Sequence, residues 1–310
     1  MPNVFVAPYV TALTLWHLAL GLCIGSFINV CIYRLPRGLA VTGRSHCPSC
    51  GTTLGLSDLV PLLSQLALRR RCRYCGAGIS WRYFTIELVM GLLLAAAYLF
   101  TSLGPMAEHG AVAQAIFLVR LWVAIPCLLA IIVIDFETYT IPDGMVVALV
   151  AIGVITDLAY QLAGVAASPM PPIPLPLGGS VILPIPQSVL GAIVGFGGLW
   201  LLGRIFSVLL GEEAMGYGDV KLMGGAGALL GPGLSLLGFF LLAVTLGAIG
   251  GIAGILARRL IGRADSEHRV AKTRLPFGPF LAVSLGLTLL YPAEVAGAVS
   301  VLYLSAWGAA

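Results

Sequence analysis

The chain has 310 residues, 59% hydrophobic and only 10% charged, with a formal net charge of +4. A water-soluble globular domain carries about 25% charged residues, so this composition excludes one and calls for surrounding lipid. The positive balance does not imply nucleic acid, because fourteen of the seventeen Lys and Arg fall in two hydrophilic segments, with Arg120 an exception inside a span: Arg34, Arg37, Arg44, Arg69, Arg70, Arg71, Arg73 and Arg82 in one, and Arg258, Arg259, Arg263, Arg269, Lys272 and Arg274 in the other.

The first predicted element is an apolar span over about Val10 to Val30. Met1 to Val10 has no basic n-region and no clear cleavage site follows, so the span reads as a retained helix and not as a cleavable signal. Residues 34–84 form a hydrophilic insert, the only candidate soluble domain, holding eight of the seventeen Lys and Arg. About fifty residues make too small an apolar core, so another staple is expected there. It is supplied by Cys47-Pro-Ser-Cys50 and Cys72-Arg-Tyr-Cys75, two Cys-x-x-Cys pairs separated by 21 residues. The doubled motif reads as a zinc ribbon, in which four thiolates hold Zn²⁺ tetrahedrally and metal binding supplies folding energy. A reducing cytoplasm would keep these thiols free of disulfides. The adjacent His46 is a weaker ligand candidate, and Cys23, Cys31 and Cys127 read as small buried hydrophobes.

Further spans follow near residues 85–103, 113–134, 142–164 and 188–210, each close to the length of about 20 residues that crosses a bilayer as helix. Between the last two, Ser168 to Pro186 carries seven prolines and reads as an extended polyproline-like loop. A short sixth segment, spanning or re-entrant, runs to Leu230, where Gly231-Pro232-Gly233 interrupts it, and a seventh span covers Leu234 to Leu256. The eighth runs from Phe277 towards Tyr303, with a break expected at Pro292. Lys and Arg concentrate in cytoplasmic loops, and the span count places both Arg-rich segments and the loops at 135–143 and 211–219 on that side. The expected fold is thus an all-α polytopic membrane protein of about eight transmembrane helices, with a small zinc-ribbon-like insert between the first two.

Two acids sit where solvation explains them poorly. Asp135 follows the apolar run Leu128 to Ile134, and Asp219 ends Gly216-Tyr-Gly-Asp and opens the next apolar segment through Val-Lys221-Leu. Ionisable groups at membrane depth are functional-site candidates by default. Gly216 and Gly218 remove bulk beside Asp219, so a peptide backbone can approach its carboxylate. Two carboxylates meeting between helices would share a proton and divide the labour of aspartyl proteolysis. From position alone, the same residues also serve as helix caps, Asp219 in particular. Asp143 follows Pro142 into the first turn of a span, where an acid complements the helix dipole, and Glu137 is a further acid of that loop. Asp157, inside an apolar stretch, reads as a packing or loop-edge residue.

Taken in order, Gly25-Ser-Phe-Ile-Asn-Val-Cys-Ile-Tyr-Arg-Leu-Pro36, His46 to Gly51, Asp58 to Ser64, Arg71 to Cys75, Ile79 to Tyr83, Glu87-Leu, Asp135 to Asp143, Gly216 to Lys221 and Pro276 to Phe280 resemble the bacterial type IV prepilin peptidases, also called prepilin leader peptidase and N-methyltransferase. Gln65 and Phe84 depart from that pattern, standing where tryptophan and proline are expected. The resemblance implies a catalytic pair, Asp135 and Asp219, supported by Gly216, Gly218, Lys221 and Asp143, and a zinc set of Cys47, Cys50, Cys72 and Cys75. It implies that the basic leader of a type IV prepilin or pseudopilin is cut after a glycine at the cytoplasmic face of the bacterial inner membrane. The new N-terminal amine is then methylated with S-adenosylmethionine, for pilus assembly or type II secretion. It divides the chain into a first helix (1–33), the zinc-binding, methyltransferase-associated insert (34–84) and the aspartyl protease domain (85–310). The reading from another class is a transporter or assembly scaffold with intramembrane acids as proton sites; no internal repeat pairs the two halves of the chain.

Overall fold

The computed structural model describes residues 3–164, 173–174, 180–181, 186–212, 215–260 and 276–307. Its elements are α1 (Asn3–Arg34), the short α2 (Leu63–Ala67), α3 (Trp81–Leu103), α4 (Ala111–Thr138), α5 (Asp143–Leu162), β1 (Ile173–Pro174), β2 (Ser180–Val181), α6 (Gln187–Leu210), α7 (Tyr217–Leu230), α8 (Leu234–Leu260), α9 (Gly278–Leu290) and α10 (Pro292–Trp307). The chain is a helical, multi-pass membrane protein. Six described helices are long and apolar enough to cross, and α9 with α10 forms a seventh candidate span bent by 102°. The bend falls where Pro292 removes a backbone donor. The remaining segment, α7, has 14 residues and rises only about 21 Å, less than the hydrocarbon core. Every residue from Leu222 to Leu230 is buried, so protein surrounds this short helix.

Of the proline-rich stretch, only the two-residue strands, paired antiparallel with Ile173 opposite Val181, and Pro186 are described. The rest of the expected loop lies outside the described residues, as do Arg263, Arg269, Lys272 and Arg274 of the second basic segment.

Two compact units emerge, Met1–Ala130 and Ile131–Ala310. In the first, α1 and α3 meet backbone to backbone. A Cβ added at Gly21 would lie 2.7 Å from Gly91 Cα, and one at Gly25 would lie 2.8 Å from Glu87 Cα. His17 stacks on Tyr98 with ring centres 4.4 Å apart. Cys31 and Cys127 are buried as expected, but Cys23 is exposed on α1. A single small thiol on an outward helix face needs only an apolar surrounding.

In the second unit α7 is wedged between α5 and α6. A Cβ at Gly227 would come within 1.9 Å of the Gly191 carbonyl oxygen, and one at Gly153 within 2.5 Å of that of Ala228. Asp157 is buried and fixes the start of α6: its Oδ2 accepts from the Ser188 backbone N–H at 3.0 Å and the Ser188 hydroxyl at 2.9 Å. These donors satisfy a carboxylate that burial would otherwise penalise. Helices α8 and α9 are joined by the Ser284 hydroxyl, which donates to the Phe239 carbonyl at 2.7 Å.

Candidate active site

Asp135 lies in the last turn of α4, one residue past the apolar run. The helix continues to Thr138, whose hydroxyl donates back to the Ile134 carbonyl at 2.9 Å. Tyr139 then takes a left-handed conformation, φ +55°, and the chain leaves the helix. Such a conformation at a non-glycine residue costs about 1–3 kcal/mol and persists only where its surroundings enforce it. Pro142, extended, leads into α5, which begins at Asp143. The four residues between α4 and α5 carry Ile141, which is buried in this unit.

Asp219 occupies the first turn of α7. The N-cap is Gly216 and not Asp219, and the Asp219 N–H donates to the Gly216 carbonyl at 3.1 Å. Helix initiation therefore does not need the Asp219 carboxylate at the cap, which removes the simplest structural reason for an acid here. Gly218 faces Ile141: a Cβ added there would sit 3.4 Å from Ile141 Cβ.

Ile141 also touches the start of α9. A Cβ at Gly278 would meet Ile141 Cδ1 at 3.2 Å and Asp135 Oδ2 at 2.6 Å, and the Gly278 N–H donates to that same Oδ2 at 3.1 Å. Asp135 is buried, Asp219 half-buried, and the two carboxylates are near enough to interact electrostatically. The starts of α7 and α9 thus both meet Ile141, and α9 meets Asp135 at the end of α4 through Gly278, which brings both acids to one place. A pair of carboxylates so placed can hold a water and share a proton.

Asp143 and Lys221 form an ion pair beside them, and Lys221 Nζ lies 5.3 Å from the Tyr217 ring centre. Tyr217 in turn meets Phe196 of α6 edge to face, centroids 6.3 Å apart. Among the described residues Lys221 therefore pairs with Asp143 and not with Asp135 or Asp219. The Gly278 N–H was not singled out on residue type; the only sequence signal near it is the block Pro276 to Phe280.

The cysteine insert lies in the first unit. Its four sulfurs, Cys47, Cys50, Cys72 and Cys75, all fall within 4.8 Å of one another, and none is in a disulfide. Tetrahedral zinc with bonds of about 2.3 Å needs sulfurs about 3.8 Å apart, and Cys47 Sγ and Cys75 Sγ are separated by 3.9 Å. The chain builds two matching knuckles for them. Gly51 N–H donates to the Cys47 carbonyl and Gly76 N–H to the Cys72 carbonyl, both at 2.9 Å, while Cys47 N–H bonds Thr52 O and Cys72 N–H bonds Ala77 O. Each glycine is left-handed, φ +71° and +73°. The hydroxyl and backbone of Thr52 bring the Cys50 thiol down to about 6, towards the thiolate that a metal takes. The donor set fits a zinc ion, and among the described residues His46 is outside it. Asp58 ties the knuckles to the rest of the insert: Arg73 donates to it at 2.7 Å and holds its carboxyl below the usual range.

Comparison with known proteins follows the same division. The description "Bacterial Peptidase A24 N-terminal domain" matches residues 19–101, and "Type IV leader peptidase family" matches residues 122–252. A prepilin leader peptidase/N-methyltransferase of Dickeya chrysanthemi is 33% identical over 88% of this chain and 93% of its own length. Proteins of the same name from Pseudomonas putida, 32% identical over 89% of the chain and 90% of the relative, and Stutzerimonas stutzeri, 31% identical over 95% and 96%, agree with it. No solved structure matches. With both halves matched and relatives aligned nearly end to end, the chain belongs to the type IV leader peptidase family.

Proposed function

We propose that the chain is a membrane aspartyl endopeptidase that removes the leader of type IV prepilins or pseudopilins and then N-methylates the new terminus with S-adenosylmethionine. One observation carries the peptidase reading: Asp135 and Asp219 lie near enough to interact electrostatically, with the Gly278 N–H on Asp135. The names of the relatives carry both activities.

In this reading Asp135, its Oδ2 oriented by Gly278, takes a proton from a water held between the carboxylates. The hydroxide formed attacks the scissile carbonyl carbon while protonated Asp219 donates to the carbonyl oxygen. Collapse of the tetrahedral diol breaks the C–N bond: one diol hydroxyl returns its proton to Asp219, and the leaving amine takes a proton from Asp135. Gly216 and Gly218 leave the approach to Asp219 open, and Asp143 with Lys221 pins the start of α7 against α5.

The peptidase site faces the cytoplasm of the bacterial inner membrane. The Arg-rich insert supports this through the positive-inside rule. From the insert, α3 and α4 return the chain to the same side at Asp135, and α5 and α6 do so again before Asp219. The division is a first helix (1–33), a zinc-stapled, methyltransferase-associated insert (34–84) and a protease domain (85–310), with structural Zn²⁺ on Cys47, Cys50, Cys72 and Cys75.

Purified protein incubated with a candidate prepilin, with and without S-adenosylmethionine, tests both activities by product mass. Asp135→Asn and Asp219→Asn should each lower cleavage about a hundredfold or more. Continued trimming by the double variant, still inserted in membranes, would sink the assignment.

A further inference from the structure

A cavity of about 460 Å³ opens among α1, α3 and the insert, all within the first unit. That is within the usual size of small-molecule sites, roughly 300–1,000 Å³. Its wall has unusual chemistry. Glu87, Asn29 and Gln65 line it and are 5%, 2% and 7% exposed.

The Glu87 carboxylate is surrounded by neutral donors: the Leu62 N–H at 2.9 Å, the Gln65 amide at 2.8 Å and the Ser26 hydroxyl. Among the described residues no ion pair involves Glu87. These donors offset part of the cost of burying the carboxylate, and a cation brought to the cavity would offset more. Two of the arginines that line the cavity are committed elsewhere. Arg34 donates to the carbonyls of Ala40, Thr42 and Arg44, and Arg73 pairs with Asp58.

Two amide oxygens in the same wall, Asn29 Oδ1 and Gln65 Oε1, are buried with no hydrogen-bond partner among the described residues, although the nitrogens of both amides are used. Orphaned acceptors of this kind call for an explanation, and a donor-bearing ligand is one. Backbone strain lies beside the cavity wall as well, at residues next to Leu68 and Arg71 and at the Leu62 that donates to Glu87. Leu62, Arg69 and Arg70 have φ of +57°, +49° and +55°, three of the four non-glycine residues with positive φ among the described residues. Strain of this kind clusters at ligand sites.

A ligand that completes this wall carries a positive charge for Glu87, hydroxyl or amino donors for the two amides, and about the bulk of a nucleoside. Resting on the methyltransferase reading above, we infer that this cavity is the S-adenosylmethionine site. Glu87 faces the sulfonium, and Asn29 and Gln65 accept from the ligand's hydroxyl or amino donors. Arg71, which lines the cavity and has no ion pair among the described residues, takes the carboxylate. In the transfer, the lone pair of the peptide amine forms the N–CH₃ bond as the S–CH₃ bond breaks onto sulfur. The sulfonium becomes a neutral thioether, and the ammonium formed gives a proton to water.

The test is equilibrium binding of S-adenosylmethionine and of S-adenosylhomocysteine, which lacks the sulfonium charge, to the full chain in detergent. Glu87→Gln should weaken the first about tenfold or more and the second much less, with zinc content and melting temperature kept as controls on folding. The exposed Arg71→Ala should weaken both ligands severalfold, and this variant keeps the test decisive if Glu87→Gln does not fold. A wild-type protein that methylates its product while both variants bind within twofold of it would overturn the cavity assignment and leave methylation standing. A wild-type protein that neither binds the methyl donor nor methylates would overturn the two together.

Discussion

Gly278 offers its N–H to Asp135 from 143 positions away, and it can do so only because it has no side chain: a Cβ there would stand 2.6 Å from Oδ2 and 3.0 Å from Cγ. Gly278→Ala should therefore turn the carboxylate away from its water. Misplacement by about 1 Å costs on the order of a hundredfold in rate, so a fall of about that size in kcat is expected, with membrane insertion unchanged. Activity within a fewfold of wild type would show that the amide does not orient Asp135. At this scale the acids were legible in the sequence, because an ionisable group beside an apolar run is conspicuous. Gly278 and Ile141 were not, since a backbone donor and an ordinary aliphatic side chain carry no mark of their role until distant segments meet. Asp157 shows the converse: its sequence setting resembles that of Asp135, yet it is consumed by the start of α6.

Among the elements, α7 depends most on close contact. Its backbone touches that of α6 at Gly227 and Gly191, and α5 closes on it at Gly153. Gly227→Ala should force α6 and α7 apart, costing about 1–3 kcal/mol as overpacked cores do. Gly254→Ala, which meets nothing within 4 Å, is the control, and thermal unfolding in detergent compares them; equal melting temperatures would refute the wedge. Because α7 carries Asp219, the first variant should lose cleavage as well. The ends of the helices follow the apolar runs and their punctuation closely, at Leu230 before Gly231-Pro232-Gly233 and at the break beside Pro292. The extension of α4 through Asp135 to Thr138 is less legible, because its last turn is polar and is held by Thr138 bonding back into the helix. Glycine pairing is hidden altogether: the same residue type marks a helix contact at Gly227 and open space at Gly254.

On the scale of the whole molecule, composition alone dictated a helical membrane protein, and the order of spans followed from hydropathy. The distribution of the chemistry did not, since the cysteine cluster and cavity belong to one compact unit and the aspartate pair to the other. Metal removal should separate them. Cys72→Ser, or chelation of the native protein, is expected to lower bound zinc, expose residues 34–84 to protease and abolish methylation, because metal binding is folding energy for so small an insert. Metal analysis and product mass measure this, and an unchanged zinc content would count against the ribbon. The paired knuckles carry a further consequence. Gly51 and Gly76 repeat the same turn, with the same bonds and nearly the same dihedral angle, and neither has an atom within 4 Å of an added Cβ. Alanine at either should impose the same local penalty, about 1 kcal/mol from the left-handed backbone. Each glycine is thus an internal reference for its twin, and any inequality between the two variants measures what the remainder of the insert demands of one half and not of the other.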